Sequence, residues 1–126
     1  MDRQALGAQA EGIARRHLTA HGLELVCENY RCRVGELDLV MRERGTLVIV
    51  EVRMRRASRF GGARASIHGG KKRRIVRAAQ HLLMTHRALA RLPVRFDVVT
   101  LDRCADAGEG VETRVEWSRA AFEAPP

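Results

Sequence analysis

The sequence predicts an α/β domain with a mixed central sheet flanked by helices, in the order α-β-β-β-α-β-β. Three observations carry that prediction. Two stretches, residues 3–21 and 71–91, repeat apolar side chains at helical spacing. Five shorter stretches are apolar or alternating and bounded by turn residues, as strands are. The chain has 126 residues, 45% of them hydrophobic, with no internal repeat and no linker, which suits one compact domain over 1–126.

In the first helix, Leu6, Ala10, Ile13, Ala14 and His17 fall on one face and Gly22 supplies a stop. Glu11 lies at the edge of that face, beside Gly7, Ala14 and Leu18. Residues 23–31 suit a strand, and a short loop, Cys32 to Val34, leads to Gly35. Strands over 36–42 and 46–54 follow, joined by a tight hairpin turn at Arg44-Gly45. Residues 56–70 hold four glycines, carry no periodicity and read as a loop. The second helix points Ile75, Ala78, Ala79, Leu82, Leu83 and Leu89 inward, and Pro93 ends it. Strands over 95–102 and 111–117 complete the sheet, and the tail from Ser118 suits one helical turn before Pro125-Pro126.

The longest strictly apolar run, Leu47 to Val50, is far too short to span a membrane. The first residues carry charge and glycine where a secretion signal needs an apolar segment, so the expected location is the cytoplasm. Cys27, Cys32 and Cys104 form no C-x-x-C pair, which argues for reduced thiols over a disulfide framework or a zinc site. The net charge is +8, and it is unevenly spread. From Arg53 to Arg95 there is no Asp or Glu, while 13 of the 23 Lys and Arg residues lie there; the remainder nets −5. A field so one-sided attracts polyanions, and nucleic acid is the expected partner. Four consecutive cations, Lys71, Lys72, Arg73 and Arg74, open the second helix and oppose its dipole. That placement is unfavourable unless an anion sits at the same end, and a phosphate fits.

Acidic residues interrupt the two central strands, GELDLVMRERGTLVIVEVR. Glu36, Asp38 and Val40 share one strand face, as do Leu47, Ile49, Glu51 and Arg53 on the next. A two-residue turn would set Asp38 opposite Glu51 and Glu36 opposite Arg53, with Cβ atoms roughly 4.5–5.5 Å apart. Carboxylates so close repel, and apolar flanks raise the cost. Either Arg53 neutralises them in a structural ladder, or a hard divalent cation does. Beside a polyanion-attracting surface, the second arrangement is the layout of a metal-dependent nuclease.

These residues carry a resemblance. G-E-L-D-L followed after the turn by V-I-V-E-V-R resembles the PD-(D/E)XK signature of restriction-endonuclease-like folds. More narrowly the chain is similar to the small bacterial YraN family, with its G-E-I-D-L…V-F-V-E-V-K pattern. The likeness extends to Glu11, Asn29, Gly61-Gly62, Lys71-Lys72 and Arg95-Phe96-Asp97. It implies that Asp38 and Glu51 bind Mg²⁺ or Mn²⁺ with the carbonyl of Val52, and that Glu11 and Glu36 are auxiliary carboxylates. It further implies a metal-dependent endonuclease that hydrolyses DNA, branched or junction DNA in particular, as Holliday junction resolvases do. The catalytic set would be Asp38, Glu51 and Arg53. Phosphate contacts would come from Arg55, Arg56, Arg59, Arg64, Lys71, Lys72, Arg73, Arg74 and Arg77. A two-fold symmetric junction makes a homodimer the corollary.

Arg53 stands where the motif has lysine. Arginine stays protonated and cannot act as a base, although it can stabilise charge on a phosphate. Only 2 of the 23 basic residues are Lys, so arginine for lysine is this chain's habit and the retained Lys71-Lys72 pair is the more notable. A non-catalytic RNA- or ribosome-associated module with a nuclease fold is the alternative; an adaptor docking on an acidic protein is a third. Among other residues, Asp97 suits a structural pairing with Arg, Phe60 suits a loop anchor, and His68, His81 and His86 lack ligand spacing.

Overall fold

A computed structural model describes residues 3–56, 67–105 and 111–124. Helix α1 (Arg3–Ala20) precedes strands β1 (Glu24–Cys32), β2 (Gly35–Glu43) and β3 (Thr46–Arg56). Helix α2 (Gly69–Thr85) and a short 3₁₀ turn (Arg87–Leu89) lead to β4 (Val94–Ala105) and β5 (Val111–Phe122). The five strands lie in chain order in one sheet. All neighbours are antiparallel except β3 and β4, whose parallel pairing is made possible by the α2 crossover. The predicted α-β-β-β-α-β-β order is the observed one, and the architecture is restriction-endonuclease-like.

The run Leu47-Val48-Ile49-Val50 is apolar throughout because β3 is covered on both faces. Leu47 and Ile49 join Val40, Phe96 and Val98 beneath Ile75, Val76, Ala79 and Leu82 of α2. Val48 and Val50 join Leu39, Met41, Val99 and Leu101 beneath Ala10, Ala14 and Leu18 of α1. Each buried leucine or isoleucine contributes about 1.5–3 kcal/mol. The two alanines of α1 let that helix approach closely, which sets the distance of Glu11 from the sheet. Among the described residues no helix is long and apolar enough to cross a membrane.

β3 and β4 run on to Arg56 and Ala105, past the expected 54 and 102, and three further boundaries differ from the sequence expectation. First, Cys32 belongs to β1, so the turn before Gly35 is only Arg33-Val34. Second, α2 stops at Thr85 instead of running to Arg91. The Thr85 hydroxyl donates to the carbonyls of His81 (3.0 Å) and Leu82 (3.1 Å), and His86 leaves the helical conformation at φ −128°, ψ 80°. Third, the tail from Ser118 is not a helical turn: β5 continues to Phe122.

Asp97 explains that continuation. It is fully buried on β4; its Oδ1 accepts from Arg95 Nε and from the Ala120 backbone N–H, both at 2.9 Å. Its Oδ2 accepts from Trp117 Nε1 at 2.9 Å and from an Arg95 Nη at 3.1 Å. Ala120 sits at φ 48° in a bulge opposite Phe96–Val98. Side chains avoid that region, and the Asp97 bond offsets the cost. The structural role expected of Asp97 is thus specific: it holds an irregular strand in the sheet. Asp97→Ala removes the acceptor shared by the half-buried Arg95 guanidinium, the Trp117 indole and the Ala120 amide, while Arg95 keeps Glu43; it is expected to cost about 2–3 kcal/mol in urea unfolding, and a loss below 1 kcal/mol would show that β5 is held by something else.

Candidate functional site

The β2–β3 ladder runs from Glu43↔Thr46 to Leu39↔Val50, the register that a two-residue turn dictates. There it ends. The next two facing pairs predicted from that register, Asp38 with Glu51 and Glu36 with Arg53, are not ladder partners. Asp38 instead turns its carboxylate into the gap, and its Oδ2 accepts the Val52 N–H at 2.9 Å. A strand residue's N–H and C=O point toward the same neighbour, so the Val52 carbonyl faces this gap as well. The opened strands form a cleft of about 250 Å³ lined by Glu11, Glu36, Asp38, Glu51, Val52 and Lys71, among others.

Burial dominates the electrostatics of this cleft. It raises the pKa of Glu51 to about 7, and the negative charge of Asp38 adds to the rise; Lys71 opposes it. Asp38 is also raised, mainly by burial, although the Val52 N–H and a hydrogen bond from Glu51 favour its ionised form. Both carboxyls therefore keep their protons to a higher pH than they would in water. Glu11 is raised for the same reasons, first burial and then Asp38, while Asn29 hydrogen-bonds its carboxylate. Asn29 holds a left-handed conformation, φ 54°, at the β1 position facing Asp38. Asn tolerates that region better than most residues, and the twist turns it toward α1.

The cation of the cleft is Lys71. Its Nζ lies 2.5 Å from Glu51 Oε1, although it comes from α2 and not from the E-V-R strand. The anion that the four-cation helix start demands is therefore, in part, a carboxylate of the protein itself. The other three cations diverge: Lys72 lies over the Phe122 ring at 5.7 Å, whereas Arg73 and Arg74 are exposed. Glu36 is two-thirds exposed and pairs loosely with Arg31 at 3.6 Å. Arg53 and Arg55 continue β3 past Glu51, and Arg77 is exposed on α2. Arg59, Arg64, Phe60 and the side chain of Arg56 lie outside the described residues. Cys27 and Cys32 are free thiols.

Sequence reasoning singled out Asp38, Glu51 and Glu11, and the fold brings all three to one cleft. It did not foresee Lys71 as their cation. The available signal was compositional, since lysine survives at two positions in a chain that otherwise uses arginine. A hard cation entering the cleft would find Asp38, Glu51 and the Val52 carbonyl as donors. Among the described residues no three His, Cys, Asp or Glu side chains converge as a ligand set.

The model of Uncharacterised protein family UPF0102 matches residues 10–101. The chain belongs to the UPF0102 family, the YraN family of restriction-endonuclease-like proteins. A UPF0102 protein of Cupriavidus taiwanensis is 54% identical over 97% of this chain and 86% of its own length. UPF0102 proteins of Methylobacillus flagellatus and Saccharophagus degradans are 44% and 46% identical, covering 94% and 92% of this chain and 97% and 91% of their own.

The raised Glu51 pKa has a consequence for stability. Unfolded glutamate titrates near 4.5 and folded Glu51 at about 7. Between those values the folded chain keeps a proton that the unfolded chain has lost, so metal-free stability falls as pH rises through that window. Asp38, also raised, acts in the same direction. Glu51→Gln is expected to flatten most of the slope in thermal unfolding from about pH 5 to 7; an unchanged slope would place the titration elsewhere.

Proposed function

We propose that this protein is a metal-dependent endonuclease acting on DNA, with branched or junction DNA as its substrate. The observation that carries the proposal is the cleft itself. Three buried or half-buried carboxylates with raised pKa values line it, at the point where β2 and β3 separate. Crowded, partly buried acids are a cost to the fold, and pKa values perturbed by burial and a neighbouring charge mark functional sites. The YraN family's resemblance to Holliday junction resolvases agrees with the basic half of the chain.

Asp38, Glu51 and the Val52 carbonyl would hold Mg²⁺ or Mn²⁺, which when bound polarises a phosphate and lowers the pKa of water. Glu11, tied to Asn29, would orient water at the rim of the cleft. In the hydrolysis a water oxygen bonds to phosphorus, the ester P–O bond breaks, and the leaving oxygen takes up a proton. Lys71 and Arg53 offset the charge that grows on the phosphoryl oxygens. Arg53 contributes charge alone, being unable to deprotonate.

A second reading has one observation in its favour. Lys71 already neutralises Glu51 without an ion, as a structural pair in a non-catalytic nucleic-acid-binding module would. Titration calorimetry with Mn²⁺ separates the two. Wild type is expected to bind the ion and the Asp38→Asn/Glu51→Gln double variant to lose it; the same variant should cut branched DNA at background rate while still binding it. Absence of Mn²⁺ binding in wild type would favour the binding module. Cutting at wild-type rate by the double variant would sink the mechanism. The proposed homodimer is checked by sedimentation, where a monomer at high concentration speaks against it.

A further inference from the structure

Beside the acid cleft lies a second, larger hollow of about 510 Å³, between the β1–β2 turn and the first turns of α2. It shares Glu36 and Lys71 with the cleft, so the two are continuous. Its rim is basic from both sides: Arg31 comes from the end of β1 and Arg33 from the turn, Lys71 and Arg74 from the helix. Arg31, Arg33 and Arg74 are exposed, and the Arg31 pairing with Glu36 is long at 3.6 Å between two exposed groups. Such a contact contributes little and leaves the guanidinium available.

The two walls are fixed relative to each other by Gly35. A Cβ there would lie 2.8 Å from the Arg74 carbonyl oxygen, so only glycine lets the strand start this close to the helix. The spacing of Arg33 and Arg74 is therefore set by backbone packing. The buried Ile75 and the exposed Val34 place apolar side chains among the charges. A groove with cations on two rims and apolar side chains among them suits a nucleic-acid strand, whose phosphates carry the charge and alternate with less polar sugars.

We propose that this hollow is a nucleic-acid subsite, in which Arg31, Arg33 and Arg74 hold the backbone of the strand on one side of the phosphate in the acid cleft. The proposal rests on the nuclease reading for what occupies the cleft, but not for the groove's own affinity. It assigns Arg31 and Arg33, outside the basic stretch of residues 53–95, to binding. It also gives the site a direction, because the strand leaves the cleft past Lys71 and along α2. An acidic protein segment offers the same charge; continuity with a cleft that suits a phosphate favours nucleic acid.

The test is binding of a fluorescein-labelled four-way DNA junction, with Ca²⁺ present so that nothing is cut. It compares wild type, Arg33→Ala/Arg74→Ala, and a charge-matched Arg87→Ala/Arg91→Ala control at the far end of α2. The groove variant should lose about ten-fold in affinity near 0.1 M salt, and its log K against log salt slope should fall by about 2, since each phosphate contact is worth about 0.9. Its Mn²⁺ affinity and melting temperature should stay at wild-type values. The control should change neither affinity nor slope. Equal losses in the two double variants, an unchanged slope, or displacement of DNA by polyglutamate at equal charge would overturn the subsite. A wild type without Mn²⁺ binding or cutting, whose DNA affinity still depends on Arg33 and Arg74, would end the nuclease reading and uphold the groove.

Discussion

The hydrogen bond from the Val52 N–H to the Asp38 carboxylate is the interaction on which the site depends. Up to Leu39 and Val50 the two central strands exchange backbone bonds; one residue further, a side chain replaces the backbone acceptor. The substitution satisfies the amide that the ladder abandons, so the strands can part without leaving that donor orphaned. It also holds an acid at the bottom of the opening and turns the Val52 carbonyl toward it. The apolar run of β3, covered on both faces, supplies the rigidity against which this gap is held.

The proposed function draws on that gap. An open sheet interior would ordinarily collapse or fill with apolar side chains. Here it is kept polar by three acids and one lysine, drawn from α1, β2, β3 and α2. Each element brings a different constraint: alanines on α1 set the approach of Glu11, the left-handed Asn29 orients that carboxylate, and the crossover helix delivers Lys71. The arrangement is balanced but crowded, and a crowded acid site gains from an added positive charge.

Most of the fold was legible from the sequence because its signals are local. Strand periodicity, the Arg44-Gly45 turn and the helical stripe are properties of adjacent residues, and the hairpin register followed from the turn alone. The misjudged boundaries depended on side-chain hydrogen bonds that apolar periodicity does not register. Thr85 ends α2 through its own hydroxyl, and β5 persists through the Ser118–Phe122 tail because Asp97, about twenty residues away in the chain, bonds Ala120. Asp38 and Glu51 were legible as a pair, yet their register was extrapolated past the point where the ladder stops. The basic stretch was legible as charge but not as direction. Consecutive residues of a helix point about 100° apart, so Lys71, Lys72 and Arg74 serve three different surroundings. Arg31 and Arg33 meet α2 only through the close approach at Gly35.

The lysines carry one consequence for chemistry done on this protein. Lys71 and Lys72 are the only two in the chain, and both stand in the first turns of α2. Apart from the α-amino group, amine-directed reagents have no other side chain to find. One of the two targets lines the acid cleft, and the other lies against Phe122 at the end of the sheet. A lysine-selective crosslinker or acylating probe therefore acts here as a site-directed reagent, reporting from the cleft and its border without any engineered handle.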